Sequence, residues 1–430
     1  MKKILVCLLT SVTIISCQKD HENPVKHTDS KLITDWIGLH LSLIKNTTGV
    51  THIAYSRHFA YTGIALYEAL VNGDPGFRSI ATSLNGNLTL PVATNKQLIF
   101  YPAAANAALA EMLRFFYSAK EANIFSIDSL EQVESGKFTG DMIRNKDLAV
   151  SSDYGKKIAQ AIIQWSGSDG SVNANSPYAP LGEGFWEPTP PAFAPANMPG
   201  WGNNRLLIAG SIANTLPDAP TPFSTQQGTA FYAMVKDLYE VSLTLTDNQK
   251  ATAQFWDDAP NGKYVSVFGH WFSILKQVLE KERTPLMKGA EAYLRLGVTM
   301  NEAAISCWKA KYTYNQIRPV TYIRKHLGFA DWSPLIATPP HPEYPAAHPT
   351  LSGSAAYALE YIFGRAYVFT DHTYDAIGYN PRTFGSFDLA GKEAGRSRLY
   401  GGIHYRLSIE AGYAQGRKVG SNIINLLHTH

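Results

Sequence analysis

Apolar positions recur at helical spacing along most of the chain. Between Lys31 and Lys45, Trp36, Leu39 and Leu43 fall on one face, and Asp29 or Ser30 stands where a cap belongs. Further helices are predicted over Ile53–Leu70, over the alanine-rich run from Pro102 to Tyr117, and near Leu148–Trp165, Thr229–Val241 and Gln249–Trp256. Thr246 followed by Gln249 forms a capping-box signature at the start of the last of these. The stretch from Asn175 to Gly202 breaks the pattern. Pro177, Pro180, Pro188, Pro190, Pro191, Pro195 and Pro199 exclude a regular helix there, and Trp186, Phe193 and Trp201 suggest a loop packed over the protein. Beyond it, helices are expected over Val265–Glu282, over Pro285–Tyr312 with Thr284 as cap, and over Thr350–Phe363, Phe384–Tyr400 and His404–Leu427. No strand alternation and no fixed-period repeat stands out. The expected fold is all-α, two packed helix bundles, divided into an N-terminal part over 31–245 with the proline-rich loop and a C-terminal part over 246–430.

Composition permits this. In 430 residues, 45% are hydrophobic and 17% charged, enough to bury a large core and to exclude extensive disorder. A formal net charge of +3 without a long basic run gives no footprint for nucleic acid. The beginning of the chain reads as an address. Lys2 and Lys3 precede an apolar stretch from Ile4 to Ile15, too short to span a membrane as an ordinary helix. Ile14-Ile15-Ser16-Cys17 resembles a bacterial lipobox, which implies a signal over 1–17 and lipidation at Cys17. Residues 18–30, polar and non-periodic, read as a tether. With Cys7 in the signal and Cys17 lipidated, only Cys307 remains, and it reads as a small buried hydrophobe.

The candidate chemistry lies in three segments of the last third: Lys311-Tyr-Thr-Tyr-Asn-Gln-Ile-Arg318-Pro319, His341-Pro-Glu-Tyr-Pro345-Ala346-Ala347-His348, and Ser397-Arg398-Leu-Tyr-Gly-Gly-Ile-His404. At the spaced positions they carry a lysine, two arginines and two histidines with no acidic partner. Any one of these residues alone reads as a solvated charge or a structural histidine. Together, cations without carboxylates suit a compact, multiply charged oxyanion, which arginine forks and a lysine bind well. Pro349 marks a helix start just after His348, and helix N-termini also favour anions. Walker loops, dinucleotide fingerprints, Cys-x-x-Cys pairs and nucleophile elbows are absent from the sequence, and His428 and His430 read as a frayed tail.

These blocks resemble the vanadium-dependent haloperoxidase and type 2 phosphatidic-acid phosphatase superfamily. Its pattern is Lys, six residues, Arg-Pro; then Pro-Ser-Gly-His; then Ser-Arg, five residues, His. The first and third blocks match at every specified position, and Trp308 matches the haloperoxidase branch. The likeness extends over nearly the whole mature chain, through the Trp36 helix, Ala65-Leu66-Tyr67-Glu68-Ala69, the Trp186–Phe193 loop and Phe255-Trp256-Asp257-Asp258. The resemblance implies two four-helix bundles with the pocket in the C-terminal one. It implies that Lys311, Arg318 and Arg398, with the Ala347 amide, neutralise the oxygens of vanadate or phosphate. His404 would be the axial vanadium ligand or the nucleophile on phosphorus, and His348 the acid–base group. Asp258 is a weaker candidate for orienting one of these cations. His341 stands where some haloperoxidases carry a histidine associated with bromide or iodide oxidation.

The middle block departs from the pattern. Ala346 replaces the serine whose hydroxyl donates to the anion, a loss of about 1.5–3 kcal/mol. Ala347 replaces glycine and adds a methyl. Ser408 stands where the phosphatases often carry an aspartate orienting the histidine; Glu410 is nearby. The resemblance therefore implies a haloperoxidase-like enzyme that oxidises halide with hydrogen peroxide in a vanadate pocket. Its alternatives are an acid phosphatase acting on phosphomonoesters through a phosphohistidine at His404, and a non-catalytic surface lipoprotein that keeps the fold. The implied location is the bacterial cell envelope, at the outer membrane, with membrane contact only through the lipid anchor.

Overall fold

A computed structural model describes Val25 and residues 28–430, apart from Asn87 and Pro260. Cys17, the predicted signal and most of the predicted tether lie outside the described residues. Thr28–Ser30, at the end of that tether, pair with the backbone at 284–286: Ser30 N–H donates to Thr284 O and Leu286 N–H to Thr28 O, each at 2.8 Å.

Helices dominate, as the 3.6-residue periodicity predicts. They are α1 (Lys31–Asn46), α2 (Tyr55–Leu70), α3 (Tyr101–Tyr117), α4 (Glu121–Gly136), α5 (Leu148–Ser166), α6 (Ala230–Leu243), α7 (Asp247–Phe255), α8 (Ser266–Glu282), α9 (Leu286–Tyr314), α10 (Pro319–His326), α11 (Ala347–Phe363), α12 (Phe387–Tyr400) and α13 (Arg406–Leu426). The capping box at Thr246 and Gln249 forms as expected. Thr284 does not cap α9: Pro285 takes that position, and the Thr284 hydroxyl is buried without a hydrogen-bond partner. Two helices, α4 and α10, were not anticipated. Nor was the two-stranded antiparallel ribbon of β1 (Phe369–Asp371) and β2 (Arg382–Phe384), in register Phe369↔Phe384, Thr370↔Thr383 and Asp371↔Arg382. Its strands are too short for alternation to show. No helix among the described residues is long and apolar enough to cross a membrane.

The fold is organised around α9. Along one side it packs on α2, which packs in turn with α3 and α5; along the other it packs on α11 and α13, which with α12 form the second group. The core between them holds Trp36, Phe59, Trp271, Phe272 and Leu294, all buried. Each such side chain contributes about 1.5–3 kcal/mol when taken out of water. Where α11 crosses α13 the backbones approach closely: a Cβ on Gly416 would lie 1.9 Å from Thr350 O, so only glycine fits. The end of the chain is not frayed. Leu427 and Thr429 are buried, Thr429 Oγ1 donates to Glu291 and accepts from Arg295, both at 2.6 Å, and the His430 ring packs on Phe77.

Candidate oxyanion site

The candidate residues are delivered by helix ends, and local chemistry sets each end. Helix α9 stops at Asn315, which takes a left-handed conformation (φ 49°) and donates its N–H to Lys311 O at 2.8 Å, leaving Lys311 in the last turn. Arg318 is the N-cap of α10, whose first residue is Pro319. Ala346 is the N-cap of α11, so Ala347 and His348 occupy its first turn. Arg398 lies in the last turn of α12, and His404 follows the Gly401-Gly402 turn just before α13. Asp258 sits beyond α7 with φ at 55°.

These ends converge. Lys311 and Arg318 are fully buried, Arg398 and His404 nearly so. Lys311 Nζ donates to Pro342 O and Glu343 O at 2.8 and 3.0 Å. Arg318 donates from Nε to His341 O and from Nη1 to Ile403 O at 2.8 and 2.9 Å. Its Nη1 also lies 3.2 Å from His404 Nε2, and its Nη2 lies 3.0 Å from His341 Nδ1. Guanidinium can only donate, so both histidine nitrogens accept. Arg398 donates to Ser397 Oγ at 3.0 Å and to Trp256 O. Its charge is within electrostatic reach of both His348 and His404.

One carboxylate belongs to this cluster, contrary to the reading of cations alone. Glu343 Oε1 accepts from His404 Nδ1 at 2.8 Å and from the Tyr405 amide at 3.0 Å. Glu343 thus orients His404, the part that the phosphatase pattern gives to an aspartate at the position of Ser408. His404 therefore carries its proton on Nδ1 and presents the Nε2 lone pair toward Arg318. Glu343 lies inside the middle block, so its position was visible, but its partner was not. A second carboxylate, Asp258, stands with Oδ2 at 3.3 Å from His348 Nε2, an ion-pair distance without the alignment of a hydrogen bond. Two further residues, His270 and Asp371, continue from Asp258 and carry no motif that would have marked them.

Burial governs the electrostatics. It pushes the Lys311 ammonium down to about 7, with Arg318 adding repulsion, and lowers Arg318 to about 10. It also lowers Arg398. Burial raises the Glu343 carboxyl to about 7 against the pull of Arg318 and Lys311. Burial holds His348 down at about 4, with Arg398 reinforcing and Asp258 opposing, and keeps His341 and His404 neutral. Three buried cations whose charge is this poorly compensated fit a multiply charged anion, which would raise the lysine, arginines and histidines again while pushing Glu343 further up. His341 and Trp308 lie side by side, ring centroids 5.0 Å apart, with Trp308 Nε1 donating to Asn197 O in the proline-rich loop. Ala346 is fully buried in an apolar cluster with Phe231, Ile317, Leu399, Tyr405 and Ile409.

The comparisons follow this geometry. Residues 291–430 match the model of the VCPO second helical-bundle domain, which thus contains all three blocks. A solved structure of the first bacterial vanadium-dependent iodoperoxidase is 33% identical with a TM-score of 0.85, over 94% of this chain and 97% of that one. Holo-type and apo-type structures of a bacterial vanadium-dependent chloroperoxidase share the fold at TM-scores of 0.67 and 0.68. Those two are 14% and 15% identical, over 87% and 88% of this chain and 91% and 94% of theirs. No curated protein matches significantly. With the iodoperoxidase aligned over almost its whole length at this identity, the chain belongs to the vanadium-dependent haloperoxidase family.

Proposed function

We propose that the chain is a haloperoxidase that oxidises halide with hydrogen peroxide in a vanadate pocket. The observation that carries this is the Nε2 lone pair of His404, fixed by Glu343 amid three buried cations. Lys311, Arg318 and Arg398 would hold the vanadate oxygens, the Ala347 amide at the start of α11 would add a neutral donor, and His404 Nε2 would ligate the vanadium. Bound vanadate supplies Lewis-acid activation of peroxide. The protein does the rest. Glu343 keeps His404 in the Nδ1–H tautomer. His348, neutral until an anion arrives, would take and return a proton at Nδ1 while its Nε2 faces Asp258. His341 and Trp308 form the wall where a halide would approach.

A second reading draws on the same Glu343–His404 pair. A lone pair aimed into a cationic pocket can attack phosphorus, which makes the chain a phosphatase acting on phosphomonoesters through a phosphohistidine. A third reading is a non-catalytic lipoprotein, for which Ala346 and Ala347 speak. A paired assay separates them. Vanadate-dependent halide oxidation with no phosphatase turnover is the expected result; the reverse favours the phosphatase, and neither, with vanadate unbound, favours the third. We also propose export and lipid anchoring at Cys17. A Cys17→Ala protein should leave the membrane fraction, and one that fractionates unchanged removes that proposal.

A further inference from the structure

Behind His348 runs a line of buried groups that no motif marks. His270, on α8, is wholly buried between two carboxylates: Nδ1 lies 2.8 Å from Asp258 Oδ1 and Nε2 lies 2.8 Å from Asp371 Oδ2. Carboxylates only accept, so both ring nitrogens donate, and the ring is an imidazolium by geometry. The Trp256 ring stacks on it at 4.3 Å, a contact that favours a cation. Asp258 Oδ1 also accepts from the Tyr374 hydroxyl at 2.6 Å, which leaves Oδ2 for His348. Asp371, on β1, is fixed at its other oxygen by the Thr373 amide and hydroxyl at 2.9 and 2.6 Å. With both nitrogens donating to carboxylates, the His270 ring has no lone pair to offer a metal.

We propose that Asp258, His270 and Asp371 act as a charge relay behind His348, in which the buried imidazolium keeps Asp258 ionised and aimed while Asp371 supplies the net negative charge that favours proton uptake by His348. The count is one positive and two negative charges, hence net −1 facing the acid–base group. Without Asp371 the line would be neutral. Without His270 two carboxylates would face each other across a dry interior. His270 and Asp371 are positioning residues; neither touches the oxyanion cluster. The other titratable groups facing His348 are Arg398 on α12, which opposes protonation, and His52 ahead of α2, which burial lowers to about 4 and which also faces Asp258. The rest facing Asp258 and its neighbour Asp257 are His270, His348, Arg398 and Lys263. Burial costs the charged forms of all three members, and their mutual pairing outweighs it: His270 is raised to about 10 and both carboxyls lie below their ordinary range.

The inference rests on His348 being the acid–base group, and its test does not require turnover. Ring-nitrogen NMR of the ligand-free protein should show His270 doubly protonated from pH 6 to 9. In Asp371→Asn, it should lose its second proton at lower pH than in wild type. At pH values below that titration, binding of inorganic sulfate, whose charge is constant there, should show its acidic limb displaced to lower pH. Asp371→Glu should restore both. If Asp371→Asn fails to fold, His270→Gln should make the Asp258 carboxyl, read by carbon NMR, titrate at higher pH than in wild type. A neutral His270 in wild type near pH 7 overturns the inference. So does a natively melting Asp371→Asn protein whose sulfate limb coincides with wild type, or an unmoved Asp258 in His270→Gln. Halide oxidation that proceeds while these signals stay fixed removes the relay alone. Signals that move in a protein without halide oxidation remove the proposed activity alone.

Discussion

At the scale of residues, Ala346 and Glu343 carry the sharpest expectations. Ala346 sits in an apolar cluster at the N-cap of α11, where an introduced hydroxyl can accept from the His348 amide and leave its proton for an anion. Ala346→Ser should change thermal stability without vanadate by no more than about 1 kcal/mol, the capping gain offsetting the cost of burying the hydroxyl. It should tighten vanadate binding about 10- to 100-fold, and calorimetry with and without vanadate reads both. Equal affinity would mean the side chain does not reach the anion. Glu343→Ala should weaken vanadate binding about 10- to 100-fold, the usual cost of losing an orienting partner. Glu343→Gln, which still accepts from His404, should lose less. Spacing that a motif preserves marks Lys311, Arg318, His348, Arg398 and His404; the fold joins Lys311, Arg318 and His404 through direct contacts and sets Arg398 within electrostatic reach of both histidines. Glu343, His270 and Asp371 were not legible in the sequence, because their roles come from contacts between elements such as α8 and β1 that no sequence spacing encodes.

At the scale of elements, each helix with an amphipathic or alanine-rich pattern formed close to its expected bounds. Helix α4 was missed because it buries little, with only Asn123, Ile127 and Glu134 buried along it. Helix α10 was missed because its eight residues are too few for a period to show. The buried chain end was missed because Thr429 is held by Arg295 and Glu291 on α9, a tertiary effect. The tight crossing of α11 and α13 yields a prediction. Gly416→Ala would push Thr350 and the first turn of α11, which carries His348. It should cost about 1–3 kcal/mol or more in urea denaturation and weaken vanadate binding. Lys418→Ala, on the exposed face of α13, should do neither.

At the scale of the molecule, buried neutral histidines make the fold sensitive to acid. His40 and His58, on α1 and α2 and sharing the Tyr117 hydroxyl, are far from the oxyanion blocks in sequence. Burial lowers His40 to about 3 and His58 well below its ordinary value. Above pH 6.5 both are neutral folded or unfolded. Below it the unfolded chain takes up protons first, so stability should fall by about 1.4 kcal/mol per histidine per pH unit toward pH 4. His270 has the opposite sign: its contribution is complete below pH 6.5 and is lost as pH rises through about 10. Urea denaturation at pH 7.5, 6 and 5 should show the acid loss, and His40→Gln with His58→Gln should flatten it. An unchanged slope in that double variant would mean other groups dominate.

Helix α9 joins the two halves of the molecule in one uninterrupted run. Its 29 residues extend about 43 Å, from the backbone pairing at Thr28–Ser30 to Tyr314, with Lys311 in the last turn. A helix this long has no joint at which a change in length can be absorbed. One alanine inserted after Ala304 would turn everything beyond it by about 100° and advance it by about 1.5 Å, carrying Lys311 off the face it shares with Glu343. A related sequence could gain or lose residues in a loop remote from the three blocks and keep its pocket, whereas a single-residue gain or loss in this helix would dismantle it. The length of α9 is thus a stricter constraint on divergence than the identity of most side chains along it. An insertion variant that still binds vanadate with wild-type affinity would show that the helix can bulge and restore its phase.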